Sequence, residues 1–183
     1  MIPSFCYNLI IDKKAVFFMY NKNDEVIYIG SGICKIEDIR TEAFTKVSGR
    51  YYVLRPVFEK TSRYFVPVGS KSGKFKKLID KQEIDGLFAD VKSCDTVWID
   101  DEKKRNEIYS DLLKCFDRVK IIKMISELIE IKDGKNADVK KLKAIDERFL
   151  KEGRGLIENE LSYVLSIEPS VVKSYIVKKL HVQ

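Results

Sequence analysis

The sequence predicts an α+β protein: a small β-barrel of SH3-like size, followed by an all-α domain of about five helices. Two observations carry that expectation. Four or five short stretches in the first half alternate apolar and polar residues and are separated by tight-turn residues, the pattern of a small, strongly curved barrel. From Asp80 onward the hydrophobic period lengthens to about 3.6 residues, the spacing of an apolar stripe on a helix.

Taken in order, residues 1–18 are apolar but unpatterned, with Ile2, Phe5, Leu9, Ile10 and Phe17 among them, and suit either an edge strand or an arm. Asp24 to Ile29 alternates, Gly30-Ser-Gly32 turns the chain, and Ile33 to Ile39 alternates again, which is a hairpin signal. Ser48-Gly49 marks the next turn. Tyr51 to Arg55 is rich in aromatic and β-branched residues and is stopped by Pro56, and Arg63 to Pro67 is the last clear strand. Gly69 to Lys77 is basic and reads as a solvated surface loop.

In the second half Ile84, Leu87, Phe88 and Val91 mark a short helix. Ile108, Leu112, Leu113 and Phe116 mark a second, and Val119, Ile122, Met124, Ile125, Leu128 and Ile129 a third. Gly134-Lys-Asn is a helix stop. The stripe resumes at Phe149 and stays in phase through Leu165, so one long helix is expected across Gly153 and Gly155, each costing roughly 1 kcal/mol against alanine. A final helix begins at Pro169, where proline's missing N–H does no harm, and is packed by Val171, Val172, Tyr175, Ile176 and Leu180.

Composition narrows the function classes. Of the 183 residues 45% are hydrophobic, enough for a real core, yet no apolar run approaches the roughly 20 residues that span a bilayer. Four scattered cysteines and a single histidine, His181, make neither a disulfide framework nor a zinc site, so a reducing cytoplasm is the expected setting. There is no Gly-x-Gly-x-x-Gly, Walker loop or Gly-x-Ser-x-Gly, and no pair of carboxylates stands out from the charged surface. No catalytic residue, metal or cofactor is therefore expected. All of the net charge of +6 lies in residues 1–80, with fourteen Lys/Arg against eight Asp/Glu, while residues 81–183 carry twenty of each. A helical half without excess charge cannot hold DNA by bulk electrostatics; any such contact must be local.

The one local cluster of that kind follows the only tryptophan. Trp98 stands between the two halves, with Asp100, Asp101 and Glu102 after it and then Lys103, Lys104 and Arg105. Acids in a first turn favour a helix start near Asp100. The ring has two readings here: a wedge against an unstacked base, with the cations on phosphates, or a filler of the seam between the halves.

The assembled motifs are Tyr20, then Asp24-x-Val26-x-Tyr28-x-x-x-Gly32, Lys35 to Ile39, Tyr51 to Leu54 and Val66-Pro67. Val97-Trp98-Ile99, Arg105, Lys141 to Lys151, Glu160 to Leu165 and Ile167 to Pro169 follow. In this order they resemble the CarD family of bacterial transcription regulators, in its CdnL-like form, over about residues 19–180. The resemblance implies a Tudor-like barrel over residues 19–78 that docks on the RNA polymerase β subunit through a sheet edge. It implies a helical domain over 79–183 that reaches promoter DNA at the upstream edge of the bubble, with residues 1–18 an extension outside the pattern. Trp98 takes the position of the family's minor-groove wedge, which stabilises the open complex, and Lys103, Lys104 and Arg105 are the candidate phosphate contacts. Two barrel positions often basic in polymerase-binding members are Glu42 and Phe65 here, and Arg63, Arg40 and Arg50 are the nearby cations. Arg63, Phe65, Arg50 and Arg40 are thus the candidate polymerase contacts. No membrane and no small-molecule substrate enters this reading; an adaptor that joins two proteins and never touches DNA is the alternative.

Overall fold

Alternation and turn chemistry produce the strands where expected, with one addition. The computed structural model describes residues 20–44, 48–59, 61–69, 75–134 and 141–181. The strands are β1 (Glu25–Tyr28), β2 (Gly32–Glu42), β3 (Gly49–Pro56), β4 (Tyr64–Pro67) and β5 (Phe75–Lys77). They form one five-stranded antiparallel sheet in the order β4-β3-β2-β1-β5. Gly30 and Gly32 sit at φ of 93° and 78°, left-handed values that glycine alone reaches without strain, and so close the β1–β2 hairpin.

The addition is β5. The stretch Gly69 to Lys77 reads as a loop, yet its last three residues pair with β1 in the register Val26↔Lys77, Ile27↔Lys76 and Tyr28↔Phe75. A strand of Phe-Lys-Lys is too short to alternate. What holds it is the cross-strand ring pair of Tyr28 and Phe75, with centroids 5.7 Å apart. Residues 70–74, and the extension 1–18, lie outside the described residues.

The described chain clusters into two compact units. One takes in the residues up to Asp24 together with Lys35–Gly73; the other takes in Glu25–Cys34 together with the chain from Lys74. The two units therefore interleave along the sequence. In the first, Ile36, Tyr52, Leu54 and Val66 are buried. The register Tyr51↔Pro67, Tyr52↔Val66, Val53↔Phe65 and Leu54↔Tyr64 joins β3 to β4, which is an edge strand.

The second unit holds the helices. A 3-10 turn (Lys81–Glu83) leads into α1 (Ile84–Ser93), which buries all four residues of its predicted stripe. α2 (Glu102–Cys115) starts two residues after Asp100, because Asp101 caps it: its carboxylate accepts the Lys104 N–H at 3.0 Å. α3 (Arg118–Lys132) is capped in the same way by Asp117. α4 (Ala144–Leu165) is the long helix across both glycines, and α5 (Pro169–His181) begins on its proline.

Of the stripe predicted for α2, Leu112 and Phe116 are buried and Leu113 packs against the core, but the first member is displaced. Ile108 is exposed, and the inward face is Arg105, Tyr109 and Leu112, followed by Phe116 just beyond the helix. Hydrophobic patterning missed the start of this face because its first member is an arginine.

Gly153 and Gly155 differ in role. A Cβ on Gly153 would lie 2.9 Å from Met124 Cε and 3.4 Å from Ile121 Cγ2, so this glycine lets α3 and α4 approach closely. A Cβ on Gly155 would meet nothing within 4 Å. Gly155→Ala is expected to stabilise the protein by about 0.4–1 kcal/mol, through a less flexible unfolded chain. Gly153→Val should destabilise it by about 1–3 kcal/mol through overpacking. Urea denaturation of both variants checks the contrast; responses of the same sign would show that the helices do not touch there.

Candidate interaction surfaces

The first surface belongs to the β3–β4 unit. Phe65 lies on the edge strand, half-buried, and its ring is the centre of a small group. Phe44 meets it edge-on at 4.8 Å between centroids, and Phe44 in turn meets Tyr51 at 5.2 Å. The Arg40 guanidinium lies 5.6 Å from the Phe65 centroid, within cation–π reach, and its Nε donates to Glu42 at 2.6 Å. Arg40 thus touches both Phe65 and Glu42. Phe44 is 54% exposed, an apolar group presented to solvent beside a charge.

Next to this group Glu37 gathers two arginines. Its carboxylate accepts from Arg63 Nε at 2.7 Å and lies 3.6 Å from Arg55 NH1. The Arg63 hydrogen bond is the main cause that holds the Glu37 carboxyl below its ordinary range. Arg63 is exposed but oriented, not freely mobile. Arg50 is exposed and makes no ion pair among the described residues. Of the four predicted contacts, Arg40 and Phe65 come together and Arg63 joins Glu37, while Arg50 stands apart. Sequence reasoning missed Phe44, whose signal was an isolated aromatic in the polar run from Thr41.

The second surface is the loop between α1 and α2. Trp98 is half-buried, packed against the helical core. Its Nε1–H donates to Asp100 at 2.9 Å, and the Arg105 guanidinium carbon lies 4.1 Å from the ring centroid. The loop is tied down on both sides of the ring. The Val97 N–H is shared between the two Glu127 oxygens at 3.2 Å each. Burial is the largest influence on Glu127 and pushes its carboxyl above the ordinary value.

Arg105 is a correction to the predicted phosphate contacts. It is 3% exposed, and its side chain points inward because Asp146, itself 2% exposed, offers a bidentate partner. Nε and NH2 donate to the two Asp146 oxygens at 2.9 and 3.1 Å, and NH1 donates to the Ile99 and Asp100 carbonyls. A guanidinium so engaged has little left to offer a phosphate.

Lys103 and Lys104 are exposed and make no ion pair among the described residues. The acids around them are occupied. Asp100 holds the indole, Asp101 caps α2, and Glu102 pairs with Lys143. Asp100 and Asp101 keep their charge while accepting from neutral N–H groups. The Lys104 backbone N–H and the nearby Lys104 and Lys103 charges hold the Asp101 carboxylate below its ordinary range, so the cluster stays close to neutral.

The described residues contain no group of three or more potential metal ligands and no helix long and apolar enough to cross a membrane. Cys34 is buried, and burial pushes its thiol up to about 11.

No curated protein matches the chain. The model of the CarD-like/TRCF RID domain family matches residues 20–81, the stretch that holds all five strands and the first surface. The match covers about a third of the chain, and residues 20–81 are thus similar to a CarD-like/TRCF RID domain, consistent with a CarD-like protein.

Proposed function

We propose that this chain binds the RNA polymerase β subunit through its β3–β4 edge and contacts promoter DNA through the Trp98 loop, stabilising the open complex. The coarser part rests on the domain: a CarD-like/TRCF RID domain implies a transcription-related protein that interacts with the polymerase β subunit. The single observation that carries the docking surface is the edge strand β4 with Phe65, Phe44 and Arg40 grouped on it. An edge offers main-chain hydrogen bonds to a partner, and an exposed aromatic beside an arginine is the composition of interface hot spots.

The DNA part is supported by the half-exposed ring of Trp98, set beside Lys103 and Lys104. Two cations give weak affinity alone, but attachment to the polymerase raises the effective concentration at the promoter. One observation favours the adaptor reading, in which no DNA is touched: residues 81–183 have no excess charge, and Arg105 is buried.

Arg63→Glu combined with Phe65→Ala is expected to weaken binding to purified core polymerase at least tenfold, about 1.4 kcal/mol, with the fold kept. Arg63 is exposed just before β4 and Phe65 is only half-buried, so circular dichroism should be unchanged. Full retention of polymerase by the double variant would move the docking surface elsewhere. Loss of polymerase binding together with an unchanged salt response of wild-type promoter complexes would favour the adaptor.

A further inference from the structure

Among the buried charged groups, the Arg105–Asp146 pair stands out because it lies directly under Trp98, the ring to which the DNA contact is ascribed. We propose that Arg105, clamped by Asp146, is the positioning residue for Trp98: it holds the indole face-on and fixes the loop that carries it. This inference rests on the reading of Trp98 as the DNA-contacting ring and adds how the ring is held.

The geometry has three parts. Asp146 on α4 engages the guanidinium through two oxygens, so the plane of the fork is set by a rigid helix. The remaining edge of the fork reaches the carbonyls of Ile99 and Asp100, the two residues that follow the ring. The guanidinium carbon then lies over the indole, 4.1 Å from the ring centroid. Lysine cannot reproduce this. It has one charged atom, no plane to stack and no fork to join a carboxylate to two carbonyls.

A second tether works beside it. Glu127 on α3 holds the Val97 N–H, so residues on both sides of Trp98 are anchored to helices that pack on each other through Gly153. A ring fixed in advance loses less conformational entropy when it meets a partner, which is the physical gain from such a clamp.

Trp98 is the only tryptophan, so its fluorescence reports this site and nothing else. In the full chain, Arg105→Lys is expected to shift the emission to longer wavelength and raise acrylamide quenching, with far-UV circular dichroism retained. Asp146→Asn, which keeps the volume and one acceptor oxygen, should shift both in the same direction by less, and it serves as the test should Arg105→Lys fail to fold. Folded variants whose emission and quenching match wild type would overturn the clamp.

The functional arm uses open-complex lifetime on promoter DNA with polymerase. Arg105→Lys should shorten it, and the effect should vanish when Trp98 is already alanine, a coupling that a merely structural role would not give. Additive effects of the two substitutions would overturn the positioning role. Should Trp98→Ala leave the lifetime unchanged, the wedge reading is what fails. The fluorescence of Arg105→Lys still decides whether the clamp exists.

Discussion

Asp146→Ala is expected to destabilise the protein by about 3–5 kcal/mol, the cost of leaving a buried charge without its partner. The Arg105 and Asp146 side chains are 4% and 3% exposed, so solvent cannot take over the lost interaction without opening the core. Asp146 also accepts the Lys143 N–H at the start of α4, and that contact is lost as well. Set against the 5–15 kcal/mol that stabilises an ordinary domain, this is a large share. Urea denaturation should show a lower midpoint at an unchanged slope. Arg105→Met combined with Asp146→Ala should recover part of the loss, since removing both charges is much less costly than stranding one. A loss under about 1 kcal/mol for the single variant would contradict the buried pair.

Trp98→Ala is expected to shorten the lifetime of the open complex, at a stability cost of about 1–2 kcal/mol. That cost is below the roughly 3–5 kcal/mol of a fully buried aromatic because the ring is only half-buried. Polymerase binding should be unchanged, since the RID surface does not include the ring. Lys103→Ala with Lys104→Ala adds an independent check. With Arg105 withdrawn into the core, two phosphate contacts remain, so the logarithmic salt slope of promoter binding should flatten by roughly two. A Trp98→Ala protein that melts far below wild type would make the ring a core residue. An unaltered salt slope would remove the two lysines from the contact.

Most of the fold was legible because its signals are local. The Gly-Ser-Gly hairpin, the stripe of α1, the stop at Gly134 and the start at Pro169 each depend on a few neighbouring residues whose conformational preferences are strong. What stayed hidden depends on partners far along the chain. β5 exists because Tyr28 lies opposite Phe75. The inward face of α2 includes Arg105 because Asp146 is there to meet it, and patterning that counts arginine as polar starts the face at Ile108 in place of Arg105 and Tyr109. The candidate surfaces follow the same division. Trp98 was visible as a singular residue in a charged link. The cluster of Phe44, Phe65 and Arg40 was only partly visible, since Phe44 carries no periodic signal. The buried carboxylates of Asp146 and Glu160 looked like ordinary surface charge for the same reason.

Glu160 shows where the chain can be cut and where it cannot. Its carboxylate takes two donors from Arg118 and the N–H of Ile79, while Arg118 also donates to the carbonyl of Lys77, and Tyr163 donates to Glu25. The natural border of the helical unit therefore runs through space and has no single address in the sequence. A helical fragment begun at residue 79 would keep both partners of Glu160 but forfeit the carboxylate that Glu25 offers Tyr163 and the carbonyl that Lys77 offers Arg118. Recombination between genes, which joins proteins at single points, would meet the same obstacle. A swap of the sheet for another would have to return the β1–β5 pair along with the helices, or supply new acceptors for Tyr163 and Arg118.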